Sequence, residues 1–274
     1  MELSSEKIAK LKTIEVDILK EFISVCDKLH LKYYIIAGTL IGAIRHKGFI
    51  PWDDDIDVAM PREDFEKFII HGQELLPSHL FLQTNKSDPE FVFNYAKIRN
   101  SNTTFIEESN RNCHINSGVF IDIFVLDNFP KGKLRRKFIL FKDKVYLTAI
   151  GKVFYRKSVS KGLRLRQKIT DLLFSSPYTA RDKREKYIRS FKKSGLVHNF
   201  SSIYSEKEIV PWEWYGEGVS VNFEGIKVNA PAEYDLLLRH IYGDYMKLPP
   251  EEKRVSHHIT DVIDLDNPYK KYVE

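Results

Sequence analysis

Apolar residues recur every three or four positions near the start of the chain, over residues 5–30. This spacing predicts one amphipathic helix whose apolar face covers a sheet. Ser4 or Ser5 can cap its first turn. The recurring positions are Ile8, Leu11, Ile14 or Glu15, Ile18, Phe22, Cys26 and Leu29.

Short apolar runs bounded by turn-forming residues follow, and they predict β-strands. The expected strands are 33–37, 53–60, 81–84, 91–99, 103–107 and 118–127. The run 118–127 is almost wholly apolar, which is typical of a central strand buried on both faces. Residues 219–228 predict a hairpin that turns at Glu224 and Gly225. Further helices are expected over 40–44, 62–70, 163–174, 181–191 and 231–242.

These elements predict an α+β fold, in which a mixed sheet is flanked by helices. The composition changes over residues 131–170, which hold fourteen Lys or Arg against one acid, Asp143. Apolar residues are interleaved there, so one or two helices with a basic face are expected. We therefore divide the chain into a core (1–130), a basic helical insertion (131–200) and a C-terminal part that packs back on the core (201–274).

Composition and cysteine usage favour a cytoplasmic protein. The chain has 274 residues, which suffices for one large domain with an appended helical part. Cys26 and Cys113 lack a metal or redox motif and are expected to be reduced structural thiols. Residues 1–12 are polar and charged, unlike a signal peptide. No apolar run reaches the roughly 18 residues of a membrane span.

The basic stretch 131–170 has three interpretations. It can be a well-solvated helical insertion. It can also dock on the inner face of the membrane, since a basic residue close to anionic lipid gains about 1 kcal/mol. Nucleic-acid binding is the least favoured, because the chain has no nucleic-acid recognition motif. The adjacent histidines His257 and His258 lack the spacing of helical metal ligands and are expected in a solvated tail with a substrate contact.

The acidic run at 53–57 is the main candidate for chemistry. On a strand, alternate side chains share a face, so Asp53, Asp55 and Asp57 are expected together while Ile56 points to the core. Carboxylates this close repel one another. Mg²⁺ takes oxygen ligands and is often held by one or two carboxylates and substrate phosphates. Asp55 and Asp57 are therefore a candidate pair for Mg²⁺ or Mn²⁺, the alternative being a solvated acidic turn.

Two other features of the chain suit such a site. Gly38 and Thr39 follow an apolar strand, and a glycine there lets the backbone turn or a ligand approach closely. Asp122 lies within the apolar run 118–127, where an unpaired carboxylate is costly. Asp122 is thus a candidate metal ligand or general base, the alternative being a structural carboxylate bonded to backbone amides.

Basic and aromatic residues near these positions are candidate substrate contacts. Lys97 and Arg99 share one face of a predicted strand and can neutralise a diphosphate. A solvated strand face is the alternative. Arg45 follows the Gly38 turn and can add positive charge.

Residues 33–68 resemble the signature of the LicD family, in the wider group that includes fukutin and the fukutin-related protein. Lys-Ile-Arg at 97–99, the run 118–127 and the tail from 242 also resemble the family, so matching blocks span nearly the whole chain, least over 131–200. The signature residues are Gly38-Thr39-Leu40, Gly42, Arg45-His46, 48–57 and Met60-Pro61-Arg62.

The resemblance implies a nucleotidyltransferase-like core, in which Asp122 is the third carboxylate beside Asp55 and Asp57. It also implies phosphocholine transfer from CDP-choline to a lipid-linked or repeat-unit glycan, of teichoic acid or lipopolysaccharide type, with release of CMP. Choline needs an aromatic wall, for which Trp52, Trp212, Trp214 and Tyr215 are candidates and Trp52 the first. The alternatives are CDP-ribitol or CDP-glycerol as donor, or a non-catalytic partner in glycan assembly.

Overall fold

A computed structural model describes residues 4–108, 111, 113–153, 161–255 and 260–272. The described residues form seven α-helices and eleven β-strands, and the predicted mixed sheet flanked by helices is confirmed. Positions 257 and 258 lie outside the described residues, as does 154–160 of the basic stretch. The helices are α1 (Ser5–Leu29), α2 (Ala37–His46), α3 (Arg62–Leu75), α4 (Lys133–Ile150), α5 (Lys161–Leu173), α6 (Pro177–Arg189) and α7 (Tyr234–Tyr242).

The main sheet has the strand order β1-β2-β6-β4-β3, and β7 and β8 continue it from the far end of β6. Within it, β2 and β6 are parallel and the other pairs are antiparallel. The strands are β1 (Tyr34–Ile35), β2 (Asp57–Pro61), β3 (Leu80–Gln83), β4 (Ala96–Asn100), β5 (Thr104–Glu107), β6 (Val119–Asn128), β7 (Leu196–Asn199), β8 (Val210–Pro211), β9 (Val219–Phe223), β10 (Ile226–Ala230) and β11 (Thr260–Asp264).

Side-chain alternation gives the sheet two different faces. On one face Val58, Ile121 and Ile123 join the largest apolar cluster, together with Leu19 and Phe22 of α1. On the other face the apolar contacts are made with the C-terminal part, through a cluster that includes Tyr34, Ala59, Leu126, Tyr215 and Leu237. Asp57 and Asp122 alternate with the first set, so they lie on the second face.

Strand β6 changes partners along its length, and this divides the sheet. β4 pairs with β6 from Asn100 back to Ala96, which is opposite Ile123. β7 pairs with the same strand only from Leu126 onward. Between these two pairings the β6 backbone has no strand neighbour on that side among the described residues. We call this opening, centred on Phe124, the fork.

Several predicted boundaries were wrong in informative ways. The strand expected over 53–60 begins only at Asp57, and the strand expected over 91–99 begins at Ala96. The helix expected over 40–44 already begins at Ala37, so the Gly38-Thr39 pair lies in its first turn. The hairpin of β9 and β10, with Glu224 and Gly225 between its strands, is confirmed.

Buried ion pairs join the basic helices to the sheet. Arg184 of α6 donates to both carboxylate oxygens of Asp143 of α4, with its Nε 2.7 Å from Oδ1. Arg62 of α3 binds Asp127 through two hydrogen bonds of 2.7 Å and also reaches Glu185 of α6. Asp127 is itself a buried member of β6. The proposed boundaries at 130 and 200 stay a prediction.

Candidate active site

The first turn of α2 lies directly against the acidic segment. Ile36, the residue before the helix, donates its backbone N–H to the Asp57 carbonyl oxygen at 3.1 Å. A Cβ atom on Gly38 would lie 2.4 Å from Oδ2 of Asp53. Only glycine therefore fits at position 38 while the Asp53 carboxylate keeps its place. The side chain close to this glycine is that of Asp53, and the approach of a ligand to Gly38 stays a prediction.

Thr39 positions the start of β2. Its hydroxyl oxygen accepts a hydrogen bond from the Asp57 backbone N–H at 2.8 Å, and its side chain is buried. The first N–H groups of any α-helix lack intrahelical partners and carry partial positive charge. This end of α2 thus suits an anionic group, and the phosphate-binding role of Gly38 and Thr39 stays a prediction.

Three consecutive carboxylates precede β2. Asp53, Asp54 and Asp55 each offer an oxygen atom, and these oxygens lie within 4.8 Å of one another. The segment is not a strand, so the alternation expected for Asp53, Asp55 and Asp57 does not apply to it. It is irregular instead, and it follows a turn over 50–53 that is closed by a 2.9 Å hydrogen bond from the Asp53 N–H to the Ile50 carbonyl oxygen. An irregular segment can gather neighbouring side chains that a strand would send to opposite faces. We call residues 50–55 the acidic turn.

Asp57 and Asp122 are direct neighbours across the parallel pair of β2 and β6. Neighbouring strands lie about 4.8 Å apart, so the two side chains stand side by side on one face. Burial raises the pKa of the Asp57 carboxyl group well above its usual value, and repulsion from Asp55 and Asp122 raises it further. The protein therefore holds more negative charge at this point than it neutralises by itself.

Lys97 is the nearest cation to Asp122. Its Nζ lies 3.0 Å from Oδ1 and 3.3 Å from Oδ2, to which it donates a hydrogen bond. The same ammonium group stands 3.3 Å from the ring centroid of Phe120, in a cation–π contact. Lys97 is almost fully buried, so the solvated strand face considered for it is wrong.

Arg99 is also buried and has protein partners. It donates to the side-chain oxygen of Gln83 at 2.6 Å and to the carbonyl oxygen of Gly118 at 2.8 Å. Its face of β4 is covered, like that of Lys97. These contacts fix the strands around Asp122, and a direct contact of Arg99 with substrate stays a prediction.

Arg45 precedes the acidic turn along the chain and Trp52 lies within it. Arg45 donates from Nη1 to the Tyr245 carbonyl oxygen at 2.6 Å and from Nε to His46. The Arg254 guanidinium lies 5.7 Å from the Trp52 ring centroid. Arg45 thus links α2 to the C-terminal part. Substrate binding by Arg45 and by Trp52 stays a prediction.

Glu15 is a fourth acidic neighbour of the turn, and sequence reasoning did not single it out. It is almost fully buried on α1, and within the described residues its Oε2 has no hydrogen-bond partner. Burial, and then repulsion from Asp55 and Asp54, raise the pKa of its carboxyl group well above the usual value. The only signal in the sequence was an acid in line with the apolar stripe of the first helix.

The residues present fit a divalent cation. Among the described residues, the buried Oδ1 of Asp122 accepts no hydrogen bond, although the Lys97 ammonium group lies 3.0 Å from it. Burial, and then repulsion from Asp55 and Asp122, raise the pKa of the neighbouring Asp57. Hard cations such as Mg²⁺ prefer carboxylate oxygens, and binding one relieves repulsion of this kind. The carboxylates whose oxygens already lie within 4.8 Å of one another are those of Asp53, Asp54 and Asp55. An ion held by Asp55, Asp57 and Asp122 stays a prediction.

A family model matches the part of the chain that contains these residues. Residues 30–144, which include α2, the acidic turn and β6, match the family model described as LicD/FKTN/FKRP, nucleotidyltransferase domain. The nucleotidyltransferase-like description of the core is consistent with that name.

A relative covers nearly the whole chain. The chain is 31% identical over 262 residues to the lipopolysaccharide cholinephosphotransferase LicD of Haemophilus influenzae, an alignment covering 90% of this chain and 94% of the relative. The chain therefore belongs to the LicD family. Uncharacterised proteins of Rickettsia typhi and Rickettsia prowazekii match shorter stretches, at 39% identity over 26% of this chain and 33% over 42%, covering 22% and 39% of those relatives.

Proposed function

We propose that this protein is a phosphotransferase that moves phosphocholine from CDP-choline to a hydroxyl group of a cell-surface glycan precursor and releases CMP. The observation that carries the proposal is the 31% identity to a lipopolysaccharide cholinephosphotransferase along 90% of the chain. The acceptor is a lipopolysaccharide or teichoic acid precursor, lipid-linked or a repeat unit. The acidic site supports the reaction class, because phosphoryl transfer depends mainly on positioning and charge neutralisation.

In this reaction the acceptor oxygen bonds to the phosphorus that carries choline. The bond from that phosphorus to the bridging oxygen breaks, and the bridging oxygen leaves with CMP. The acceptor proton goes to a carboxylate, for which Asp122 is placed beside Asp57 on the same face of the sheet. Lys97 brings positive charge to within 3.0 Å of Asp122, where the negative oxygens of the diphosphate gather. The first turn of α2 offers backbone N–H groups to phosphate oxygens.

The site also suits Mg²⁺ or Mn²⁺ held by Asp55, Asp57 and Asp122. When bound, such an ion neutralises diphosphate oxygens and polarises the phosphorus under attack. The support is the buried Oδ1 of Asp122, which accepts no hydrogen bond, and the crowding of carboxylates around Asp57.

Two alternatives remain distinct from this proposal. The same carboxylates would serve CDP-ribitol or CDP-glycerol as donor, since only the transferred group differs. A non-catalytic partner in glycan assembly would not need Asp55, Asp57 and Asp122 together, and all three are present. That observation favours the enzyme.

A panel of CDP-linked donors tests the proposal. The purified protein is incubated with Mg²⁺, a glycan precursor and one of CDP-choline, CDP-glycerol or CDP-ribitol, and CMP release is measured. We expect release with CDP-choline that is lost in the Asp122→Asn variant. Release with glycerol or ribitol donors alone would establish the alternative donor. No release and no binding with any donor would favour the non-catalytic partner.

We also propose that α4 brings the protein to an anionic membrane surface, where lipid-linked acceptors are found. Leu134, Phe138 and Phe141 recur along one face of α4 and are 85%, 63% and 67% exposed. Basic residues such as Lys137 and Lys142 lie among them. Among the described residues, no helix is long and apolar enough to cross a bilayer. Sedimentation with anionic vesicles tests this: binding should fall with salt and in Phe138→Ser, whereas equal binding to neutral vesicles would contradict it.

A further inference from the structure

One apolar ring is left half-exposed in the middle of the central strand. β6 is buried from Val119 to Ile123 and again from Val125 to Asp127, but Phe124 between them is only partly covered. Its place in the fork explains this, because β4 pairs with β6 only as far as Ile123 and β7 pairs only from Leu126. The sheet thus leaves the Phe124 ring uncovered two residues beyond Asp122.

The fork opens into a cavity of about 790 Å³. The cavity is lined by Phe124, by the residues before β4, and by the end of β7 and the loop that follows it. Helix α4 covers it with Leu140, Phe141 and Leu147. A cavity of this size is in the range that holds small ligands. The lining is largely apolar and aromatic, so it does not suit the diphosphate itself.

Three aromatic rings that line the cavity pack against one another. The ring centroids of Phe93 and Tyr95 lie 4.9 Å apart with 31° between the planes. Those of Tyr95 and Phe124 lie 4.8 Å apart with 41° between the planes. All three residues line the cavity. A quaternary ammonium group has no N–H to donate, and it is recognised by the faces of aromatic rings.

The spacing along β6 matches the donor. Asp122 and Phe124 lie on the same face, two residues and therefore about 7 Å apart. In phosphocholine the nitrogen is separated from phosphorus by about four bonds of about 1.5 Å, or roughly 5 Å. Lys97 lies between the two regions, with its Nζ 3.0 Å from Asp122 Oδ1 and 5.9 Å from the Tyr95 ring centroid. A donor with its phosphorus at Asp122 can therefore place its nitrogen on these rings.

We infer that Phe93, Tyr95 and Phe124 form the wall that binds the quaternary ammonium group of the donor and selects choline over uncharged head groups. This inference rests on the proposed phosphotransfer at Asp122. It assigns to the fork the role that sequence reasoning first gave to Trp52. Trp52 does not line this cavity.

Binding of CDP-choline and CDP-glycerol to the wild type and to Phe124→Leu, measured by calorimetry, tests the inference. Loss of one ring is worth about 1–2 kcal/mol to a desolvated ammonium group, so we expect CDP-choline to bind about tenfold more weakly. CDP-glycerol should change by less than about twofold. Tyr95→Phe keeps its ring and should keep the preference for choline. Phe81→Leu is the matched control, because Phe81 is also half-buried but lies on β3.

Three outcomes would overturn the inference. In the first, Phe124→Leu weakens the binding of CDP-choline and CDP-glycerol equally. In the second, the folded variant binds CDP-choline as tightly as the wild type. In the third, only Trp52→Leu shows a loss of binding that is specific to CDP-choline. If Phe124→Leu does not fold, as judged by circular dichroism, Phe93→Leu decides instead, because Phe93 lies outside any strand. A wild type that releases CMP from all donors alike contradicts only the inference. A wild type that neither binds nor cleaves any of them contradicts the proposed function as well.

Discussion

Asp57 and Asp122 are register neighbours on the parallel strands β2 and β6, although they are far apart in sequence. Burial and the charges of Asp55 and Asp122 raise the pKa of Asp57. The two strands thus hold together two carboxylates that repel each other, and a bound cation would offset that repulsion.

Removing one of these carboxylates should remove the response to a divalent cation. An ion at 100 times its dissociation constant stabilises the folded state by about 2.7 kcal/mol. We expect Mg²⁺ or Mn²⁺ to raise the melting temperature of the wild type but not of Asp122→Asn or Asp57→Asn, both of which should also lose turnover. Thermal unfolding with and without the ion is the measurement. Asp17→Asn, on the exposed side of α1, is the control and should respond like the wild type. Equal responses in all four proteins would rule out the metal assignment.

Adding one methyl group at Gly38 should disturb the site. The new Cβ would lie 2.4 Å from the Asp53 carboxylate, which must then move. We expect Gly38→Ala to reduce CMP release more than about tenfold, since small displacements in an active site are costly. Gly162→Ala on α5 is the control, because a Cβ there meets no atom within 4 Å. It should leave turnover unchanged and stabilise the helix by up to about 1 kcal/mol. Full activity of Gly38→Ala would show that Asp53 is free to shift without consequence.

Lys97 and Asp122 should be coupled in stability. Removing one partner of a buried ion pair leaves the other charge uncompensated and typically costs about 3–5 kcal/mol. Lys97→Met should therefore be strongly destabilised in urea unfolding. The double variant Lys97→Met with Asp122→Asn should recover part of the loss, because neither member of this pair then carries a charge. Additive effects would mean that the 3.0 Å contact contributes little.

Glu208 should make stability depend on pH. Burial raises the pKa of its carboxyl group to about 7 from 4.5, although a hydrogen bond from Ser202 opposes the shift. The folded protein then binds more protons than the unfolded chain between pH 4.5 and 7, so this group's contribution to stability is lost as the pH rises through that window. The difference amounts to about 1–3 kcal/mol.

The measurement is the free energy of unfolding of the wild type and Glu208→Gln at pH 5 and pH 8. The neighbouring His198 acts in the opposite sense, because burial lowers its pKa to about 3 and its contribution falls as the pH drops below 6.5. Both proteins contain His198, so its contribution to the free energy of unfolding cancels in the difference between them. If both lose the same stability between pH 5 and pH 8, Glu208 is not the cause.

The parts of the site that sequence reasoning found carry strong local signals. Asp122 was visible because one charge interrupts an apolar strand, and its side chain does lie beside Asp57. The free, buried state of Cys26 and Cys113 also agrees with expectation. In both cases a residue's immediate neighbours in the sequence already fix its environment.

What was missed depends on contacts between distant segments. β7 and β11 are short and contain polar residues, so no periodic pattern marks them, and only pairing with β6 and β5 makes them strands. Glu15 was considered only as an alternative to Ile14 in the apolar face of the first helix. The sequence does not show which helix lies above the acidic turn. No local sequence pattern marks the fork either, because it lies between the end of the β4 pairing and the start of the β7 pairing along β6.

The pairing of β11 with β5 has a consequence for biosynthesis. Asn267 accepts a hydrogen bond at its carbonyl oxygen from the Thr104 hydroxyl, and Tyr269 donates its N–H to the Thr103 carbonyl oxygen. The β5 edge is therefore synthesised well before its partner β11. Until β11 has been synthesised, the backbone N–H and C=O groups of β5 that pair with it are open to pairing with another strand. A chaperone holding the nascent chain would be most useful at that edge.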